Sequence, residues 1–329
     1  MSADTDCVSD FKKTLSEFIE KEQLTLNQVY NCDETGLYWK ALPSKTLASQ
    51  KEKTTPGYKV HKERVTILAC ANATGDHKLK FTMIGKAKKP RALKDLNPRA
   101  LPLKYMGQTN AWMDCDWFQE WFDKEFVPEV KKYLKERNLP IRGLLLTDNA
   151  PCHPCPDVLK SPSNRGIKCL FLPPNTTSLI QPMDQGVLEC MKRRYRKELL
   201  KKLLLADAGT IDPENTIIDF WKRINIKDAI FMVAAAWNDV PGTTIRASWR
   251  KLYKFNDETS TALHDADCQG SSTNPTSTDQ PEPIHLPPVE DFLHSLSRIH
   301  GCNECDITDV QEWIEMDSGD QGYELLNDE

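Results

Sequence analysis

The chain has 329 residues, 43 basic and 48 acidic, for a formal net charge of −5, long enough to bury a substantial core in one or two domains. Its longest apolar run, residues 229–237, is nine residues; a membrane-spanning helix needs about 18 or more, and the polar, acidic start MSADTDCVSDFKK is unlike a secretory leader. Eleven scattered cysteines do not make the compact framework of a small disulfide domain and point to a reducing, intracellular compartment.

Residues 11–24 show helical spacing, with Phe11, Leu15, Phe18 and Ile19 on one face. A strand is expected over 26–37, ending near Gly36 and carrying Asp33. A second, rich in β-branched residues, is expected over 64–71, and a third over 78–84, where Leu79, Phe81 and Met83 alternate. These three form an antiparallel set. Residues 116–136 give the strongest helix, with an apolar stripe through Phe118, Trp121, Phe122, Phe126, Val130, Tyr133 and Leu134. Pro128 inside it implies a kink or two abutting helices.

Short buried strands follow over 141–147, ending at Asp148, and over 167–172, stopped by Pro173 and Pro174. A helix is expected over 182–205, with Pro182 and Asp184 in its first turn. Residues 214–255 read as helical, broken at Pro241-Gly242. Strands and helices in alternation indicate an α/β layered fold. From Asp257 onward Ser, Thr, Pro, Asp and Gly dominate, and this tail is expected to be mostly disordered, apart from a short amphipathic helix near residues 307–316. The expected organisation is a helical lead-in over 1–24, a catalytic-type domain over 25–205, a helical extension over 206–256 and an acidic tail over 257–329.

Charge is divided along the chain. The tail has one basic and 18 acidic residues, leaving 42 basic and 30 acidic in residues 1–256, a net of +12. A basic body favours a polyanionic partner, although many soluble domains carry such a charge without one. Two runs concentrate it. Lys192, Arg193, Arg194, Arg196 and Lys197 lie on the 182–205 helix, and Lys86, Lys88, Lys89 and Arg91 lie in a loop. Both are candidate phosphate contacts; a solvated face is the ordinary alternative.

Asp33, Asp148 and Asp184 are separated by 114 and 35 residues. Each has an ordinary explanation, as a strand-end turn residue, a turn former or an acid at a helix start. Brought together, they would repel by roughly 4 kcal/mol per pair at 4 Å and an effective dielectric of 20. Such a cluster calls for a hard divalent cation, Mg²⁺ or Mn²⁺, of the kind used in phosphodiester chemistry. Strand alternation lets only one of Asp33 and Glu34 face that site. Cys152 and His153 read as loop residues beside it rather than as a nucleophilic pair. His294, His300, Cys302 and Cys305 form a local four-ligand set for zinc, in acidic flanks that argue against it.

The stretches NCDETGLYWKALPSKT, GKAKKPRALK, LLLTDNAPCHP and LPPNTTSLIQPMDQGV resemble the pogo/Tigger branch of the DDE transposases, whose domesticated relatives include the jerky and centromere-protein-B type proteins. The resemblance covers residues 11–255, and the last stretch is long and specific. It implies a ribonuclease-H-like mixed sheet flanked by helices, with Asp33, Asp148 and Asp184 as the metal-holding catalytic triad. It implies nuclear, Mg²⁺- or Mn²⁺-dependent DNA cleavage and strand transfer. The alternative is a domesticated nuclear DNA- or chromatin-binding protein without turnover. Members of this branch carry helix-turn-helix modules before this domain; about 30 residues precede Asp33 here, without a basic recognition-helix pattern. Weak, sequence-indifferent DNA binding is therefore expected. The tail is expected either to restrain that binding by competing for the basic helix or to dock a nuclear protein partner through Trp313 and Ile314.

Overall fold

The computed structural model describes residues 5–46, 63–154, 159, 166–209, 216–253 and 284–323. A six-stranded mixed sheet has the order β4-β3-β2-β1-β5-β6. Its strands are β1 (Val29–Tyr38), β2 (Arg64–Asn72), β3 (Thr82–Gly85), β4 (Lys104–Gly107), β5 (Gly143–Thr147) and β6 (Ile167–Phe171). β1 pairs antiparallel with β2, and β2 with β3, as the sequence pattern predicts. β5 runs parallel to β1 on its other side, and β6 parallel to β5. This is the ribonuclease-H-like arrangement. β4, parallel to β3, is the strand the sequence pattern misses.

Helices cover both faces. α1 (Thr5–Lys21) places Val8, Phe11, Leu15 and Ile19 over Val29, Leu144 and Leu146. α5 (Leu188–Ala208) and α7 (Ile226–Asn238) pack on the same face further along, against Leu37, Ile67, Ala69, Phe81 and Met83. The opposite face, lined by Tyr30, Cys32, Leu68, Cys70 and Leu145, takes α2 (Cys115–Trp121) and α3 (Val127–Glu136). Between these two, Phe122–Phe126 forms a wide π-type turn that runs directly into α3, and Pro128, which cannot donate to the ladder, stands in the first turn of α3 just after it. β1 is buried on both faces along nearly its whole length, so its polar residues Asn31, Asp33 and Glu34 must find partners within the protein.

The remaining helices are α4 (Thr177–Ile180), α6 (Thr216–Arg223), α8 (Gly242–Ser248), α9 (Val289–Leu296) and α10 (Ile307–Glu315). The expectation of disorder from Asp257 onward is corrected over residues 284–323, which fold onto the body; residues 257–283 and 324–329 lie outside the described residues. α10 is closed at its start by a reciprocal cap between Asp306 and Asp309. Phe292 and Leu296 of α9 and Val310, Trp313 and Ile314 of α10 are buried in one core with Tyr195, Leu199 and Leu203 of α5. Trp313 donates its indole N–H to the carbonyl of Ala41 at 2.8 Å. Trp313 and Ile314 are therefore internal anchors, which corrects their reading as a docking surface for a partner. No described helix is long and apolar enough to cross a membrane.

Candidate functional site

The three aspartates meet where β5 ends beside the middle of β1. The parallel register pairs Asn31 with Leu146; two residues further on, the same register sets Asp33 beside Asp148. Alternation puts Asp33 on the α1/α5 face with Val29 and Leu37, and puts Asp148 on that face with Leu144 and Leu146. Both are buried.

Asp184 is carried to them by a separate device. The helix expected over 182–205 is broken: Gln185 is non-helical and Gly186 has φ of 87°, so α5 proper begins at Leu188. That left-handed position suits glycine, which has no Cβ to clash. The turn holding Asp184 is tied to β1 by an amide network. Asn31 donates to the side-chain oxygen of Gln181 at 3.0 Å and to the carbonyl of Leu146 at 3.1 Å. It accepts the amide of Met183 at 2.9 Å, and Gln181 donates to the carbonyl of Cys32 at 3.1 Å. Asn31 and Gln181, both fully buried, thus join the three segments that bear the aspartates. The sequence signal for them is a polar side chain two residues before Asp33 on a strand otherwise buried on both faces.

Electrostatics register the crowding. Burial raises the Asp33 carboxyl well above its usual range, and Asp184, Asp148 and Glu34 push it further in the same direction. Asp33 and Asp184 share a side-chain hydrogen bond. Asp184 is exposed to solvent, yet desolvation of its carboxyl and the charge of Asp148 raise it, against the hydrogen bond to Asp33 and the charge of Lys192. Each of these acids would be stabilised in its charged form by a cation.

A second polar cluster adjoins on the far side of β1. Glu34 faces the α2/α3 layer, opposite to Asp33, as alternation requires. There it meets His153, with Nε2 3.1 and 3.3 Å from the two carboxylate oxygens. The other ring nitrogen lies 3.0 Å from Oδ1 of Asp148. Among the described residues, the three metal-ligating side chains gathered within 4.8 Å are Glu34, Cys152 and His153, not the three aspartates. Burial, then the charge of Glu34, pushes the Cys152 thiol up to about 12, which suits a packing residue and not a nucleophile. The four tail residues considered for zinc do not assemble: His300 turns to Asp207 at 3.1 Å, and the Cys302 thiol shares a hydrogen bond with that of Cys305.

The two basic runs fare differently. Lys86, Lys88, Lys89 and Arg91 are exposed, on a loop pinned to β4 by Tyr105, which donates to the carbonyl of Ala87 at 2.9 Å. On α5, Arg196 is fully buried. Its guanidinium donates to Oδ2 of Asp317 at 2.8 Å and to the carbonyl of Tyr38 at 2.8 Å. Lys192 is buried and donates to the carbonyl of Asp317 at 2.7 Å. Arg193 bonds Glu189 and the carbonyl of Pro287, Arg194 donates to the sulfur of Cys190, and Lys197 lies 3.4 Å from Asp291. The expectation that Lys192 and Arg196 face phosphate is corrected: a tail residue more than 100 positions away in sequence has taken both. Tyr323 ends the described tail beside the acids, its hydroxyl raised by burial and then by Asp148 and Asp33.

A family model described as DDE superfamily endonuclease matches residues 62–249. The chain is 40% identical over 266 residues to Tigger transposable element-derived protein 7 of Homo sapiens, covering 78% of this chain and 48% of that protein. It is 39% identical over 254 residues to the Jerky protein homolog of Homo sapiens (77% and 42%), and 33% identical over 313 residues to the Jerky protein of Mus musculus (94% and 50%). The chain spans about half the length of these curated relatives. Among solved structures, the Mos1 transposase paired-end complex with left transposon end overlaps at a TM-score of 0.34 with 11% identity, over 76% of this chain and 64% of that one. The catalytic domain of Mos1 mariner transposase overlaps at 0.29 with 12% identity, over 78% and 98%.

Proposed function

The chain belongs to the DDE superfamily endonucleases, and from that premise we propose that Asp33, Asp148 and Asp184 hold Mg²⁺ or Mn²⁺ for cleavage of DNA phosphodiester bonds in the nucleus. The observation that carries this reading is the mutual crowding of three carboxyls, two of them buried, delivered by the middle of β1, the end of β5 and a helix-preceding turn. An oxygen-only donor set of this charge fits a hard divalent cation. Such a cation, once bound, would polarise a phosphate oxygen and lower the pKa of a bound water. The chain's own residues have three tasks. Asn31 and Gln181 keep the Asp184 turn against β1. Glu34 N–H and Ala150 N–H donate to Asp33 and Asp148 at 2.9 and 3.1 Å and limit their rotation. The loop bearing Lys86, Lys88, Lys89 and Arg91 offers the exposed cations for a DNA backbone, without reading bases.

The second reading, a DNA-binding protein of the nucleus that no longer turns over, is favoured by one feature. The tail occupies Lys192 and Arg196 on the helix that follows Asp184, which withholds both cations from a DNA backbone. A plasmid-nicking assay in Mg²⁺ or Mn²⁺ separates the two. Nicking by the wild type that is abolished by Asp148→Ala supports the enzyme. DNA binding with no nicking in either supports the binding protein. Nicking that survives Asp148→Ala removes the triad from the explanation.

A further inference from the structure

We propose that His153 is a positioning residue that fixes the carboxylate of Asp148, with Glu34 orienting the ring from behind. The proposal rests on the metal-binding reading of Asp148 and assigns which of its oxygens is free to bind.

His153 stands five residues after Asp148, on the turn that leaves β5. Its backbone N–H donates to the carbonyl of Ala150 at 2.9 Å, which folds the turn back on itself. The imidazole is thereby wedged between the middle of β1 and the end of β5 with no exposed side-chain surface. The Phe118 ring packs on it at 4.2 Å between centroids, and Phe171 lies edge-on at 6.5 Å. Nδ1 is 3.0 Å from Oδ1 of Asp148, 2.9 Å from its carbonyl oxygen and 3.1 Å from the Thr147 hydroxyl. Nε2 is held by both oxygens of Glu34, whose side chain is also without exposed surface.

Two consequences follow. Oδ1 of Asp148 is engaged by His153 and by the Ala150 amide at 3.1 Å, so Oδ2 is the oxygen left to turn toward Asp33 and Asp184. Rotation of the Asp148 side chain would break the hydrogen bond from the Ala150 amide and carry Oδ1 away from the ring nitrogen 3.0 Å from it, inside a buried site where neither loss is made good by water. A carboxylate–imidazole pair behind a ligating group is a recurrent way to fix its orientation. Here the arrangement reaches through the sheet: the strand alternation that sends Glu34 away from the acidic face is what lets it support that face from behind. The alternative for the same atoms, a zinc site of Glu34, Cys152 and His153, has three buried donors where structural zinc takes four.

The test uses the full chain, wild type and His153→Asn, Glu34→Gln and Asp148→Ala. Mn²⁺ binding is followed by electron paramagnetic resonance, metal content is measured, and the His153→Asn crystal structure is determined. The expected result is Mn²⁺ binding weakened about 10- to 100-fold in His153→Asn and less in Glu34→Gln, with Asp148 rotated in the crystal. Any nicking activity lost in His153→Asn should return at high Mn²⁺, which a general folding defect would not allow. If His153→Asn does not fold, the decision passes to Glu34→Gln, where unchanged Mn²⁺ affinity overturns the proposal. An unmoved Asp148 with unchanged affinity in His153→Asn also overturns it, as does one zinc per chain that disappears in Cys152→Ser. Failure of the wild type to bind Mn²⁺ sinks the metal reading instead; a rotated Asp148 in the variant would then still support the positioning role.

Discussion

Lys86, Lys88, Lys89 and Arg91 stand exposed on the loop after β3, whereas Lys192 and Arg196, four apart on α5, lie buried beneath Asp317. In sequence the two runs look alike. The difference comes from geometry. A helix with cations on successive residues must turn some of them inward, and positions i and i+4 share a face. On α5 that face looks at the end of β1, where the amide of Tyr38 bonds Oδ2 of Asp317 at 3.2 Å and the carbonyl of Tyr38 accepts from Arg196. A buried guanidinium there requires a counter-charge, and the acidic tail supplies it. Density of charge marks a surface; it does not say whether nucleic acid or the protein's own chain will cover it.

The strongest way to break this contrast is to remove the tail. Truncation after Asn256 strips Phe292, Leu296, Ile299, Val310, Trp313 and Ile314 from a core they share with α5. At about 1.5–3 kcal/mol per fully buried side chain, the loss is comparable to the ~5–15 kcal/mol net stability of a domain. Loss of the cooperative thermal transition, followed by circular dichroism, is expected. A truncated chain melting within a few degrees of the full chain would show that the body holds its core without the tail.

Next in size is the buried pair itself. Arg196→Ala should cost up to about 3–5 kcal/mol, because it leaves the buried Asp317 carboxylate with only Lys192, 3.4 Å away, as counter-charge; urea unfolding measures it. Because Asp317→Leu would strand the buried Lys192 ammonium, the triple variant Lys192→Met/Arg196→Met/Asp317→Leu, which removes all three charges, should recover most of that loss. A triple variant no more stable than Arg196→Ala would mean that the charges act separately.

On the exposed side, replacing Lys86, Lys88, Lys89 and Arg91 together by alanine should leave stability within about 0.5 kcal/mol. DNA binding should weaken, and the slope of log affinity against log salt should become shallower by up to about 3–4, near 0.9 for each phosphate no longer neutralised. An unchanged slope would remove this loop from the interface. The smallest effect is expected for Lys197→Ala. Its pair with Asp291 is 3.4 Å long and more than half exposed on both sides, so about 0.5 kcal/mol or less is at stake. A loss above about 1 kcal/mol, the upper end for an exposed pair, would mean that α9 depends on this ion pair.

Legibility from sequence follows burial pattern. β1, β2 and β5 are readable because strands inside a sheet are apolar or β-branched runs bounded by turn residues, and β6, at the sheet edge, because Pro173 and Pro174 mark where it stops. β4, the four residues Lys104–Gly107 at the sheet edge, carries no alternation long enough to register. The 116–136 helix is visible through its stripe, but its π-type turn depends on how Phe122 and Phe126 fill the space under β1. The 182–205 helix reads straight through its break because Gly186, a lone glycine within an apolar stripe, does not by itself announce a left-handed residue. Asp33, Asp148 and Asp184 are legible from the local stretches around them. Asn31, Gln181, Glu34 and His153 are not, since their roles exist only where separate segments touch.

The sequence by itself determined the layered α/β fold, the family, the three acids and the division of charge between body and tail. These properties reside in composition, period and short contiguous stretches. Only the tertiary structure decided that Asp317 consumes Lys192 and Arg196, that Trp313 and Ile314 face inward, and that His153 links Glu34 to Asp148 through the end of the sheet. Each of those pairings joins residues brought together by chain reversal. Each is enforced by the cost of leaving a buried charge or polar group without a partner, a cost that arises only once the surrounding core has closed.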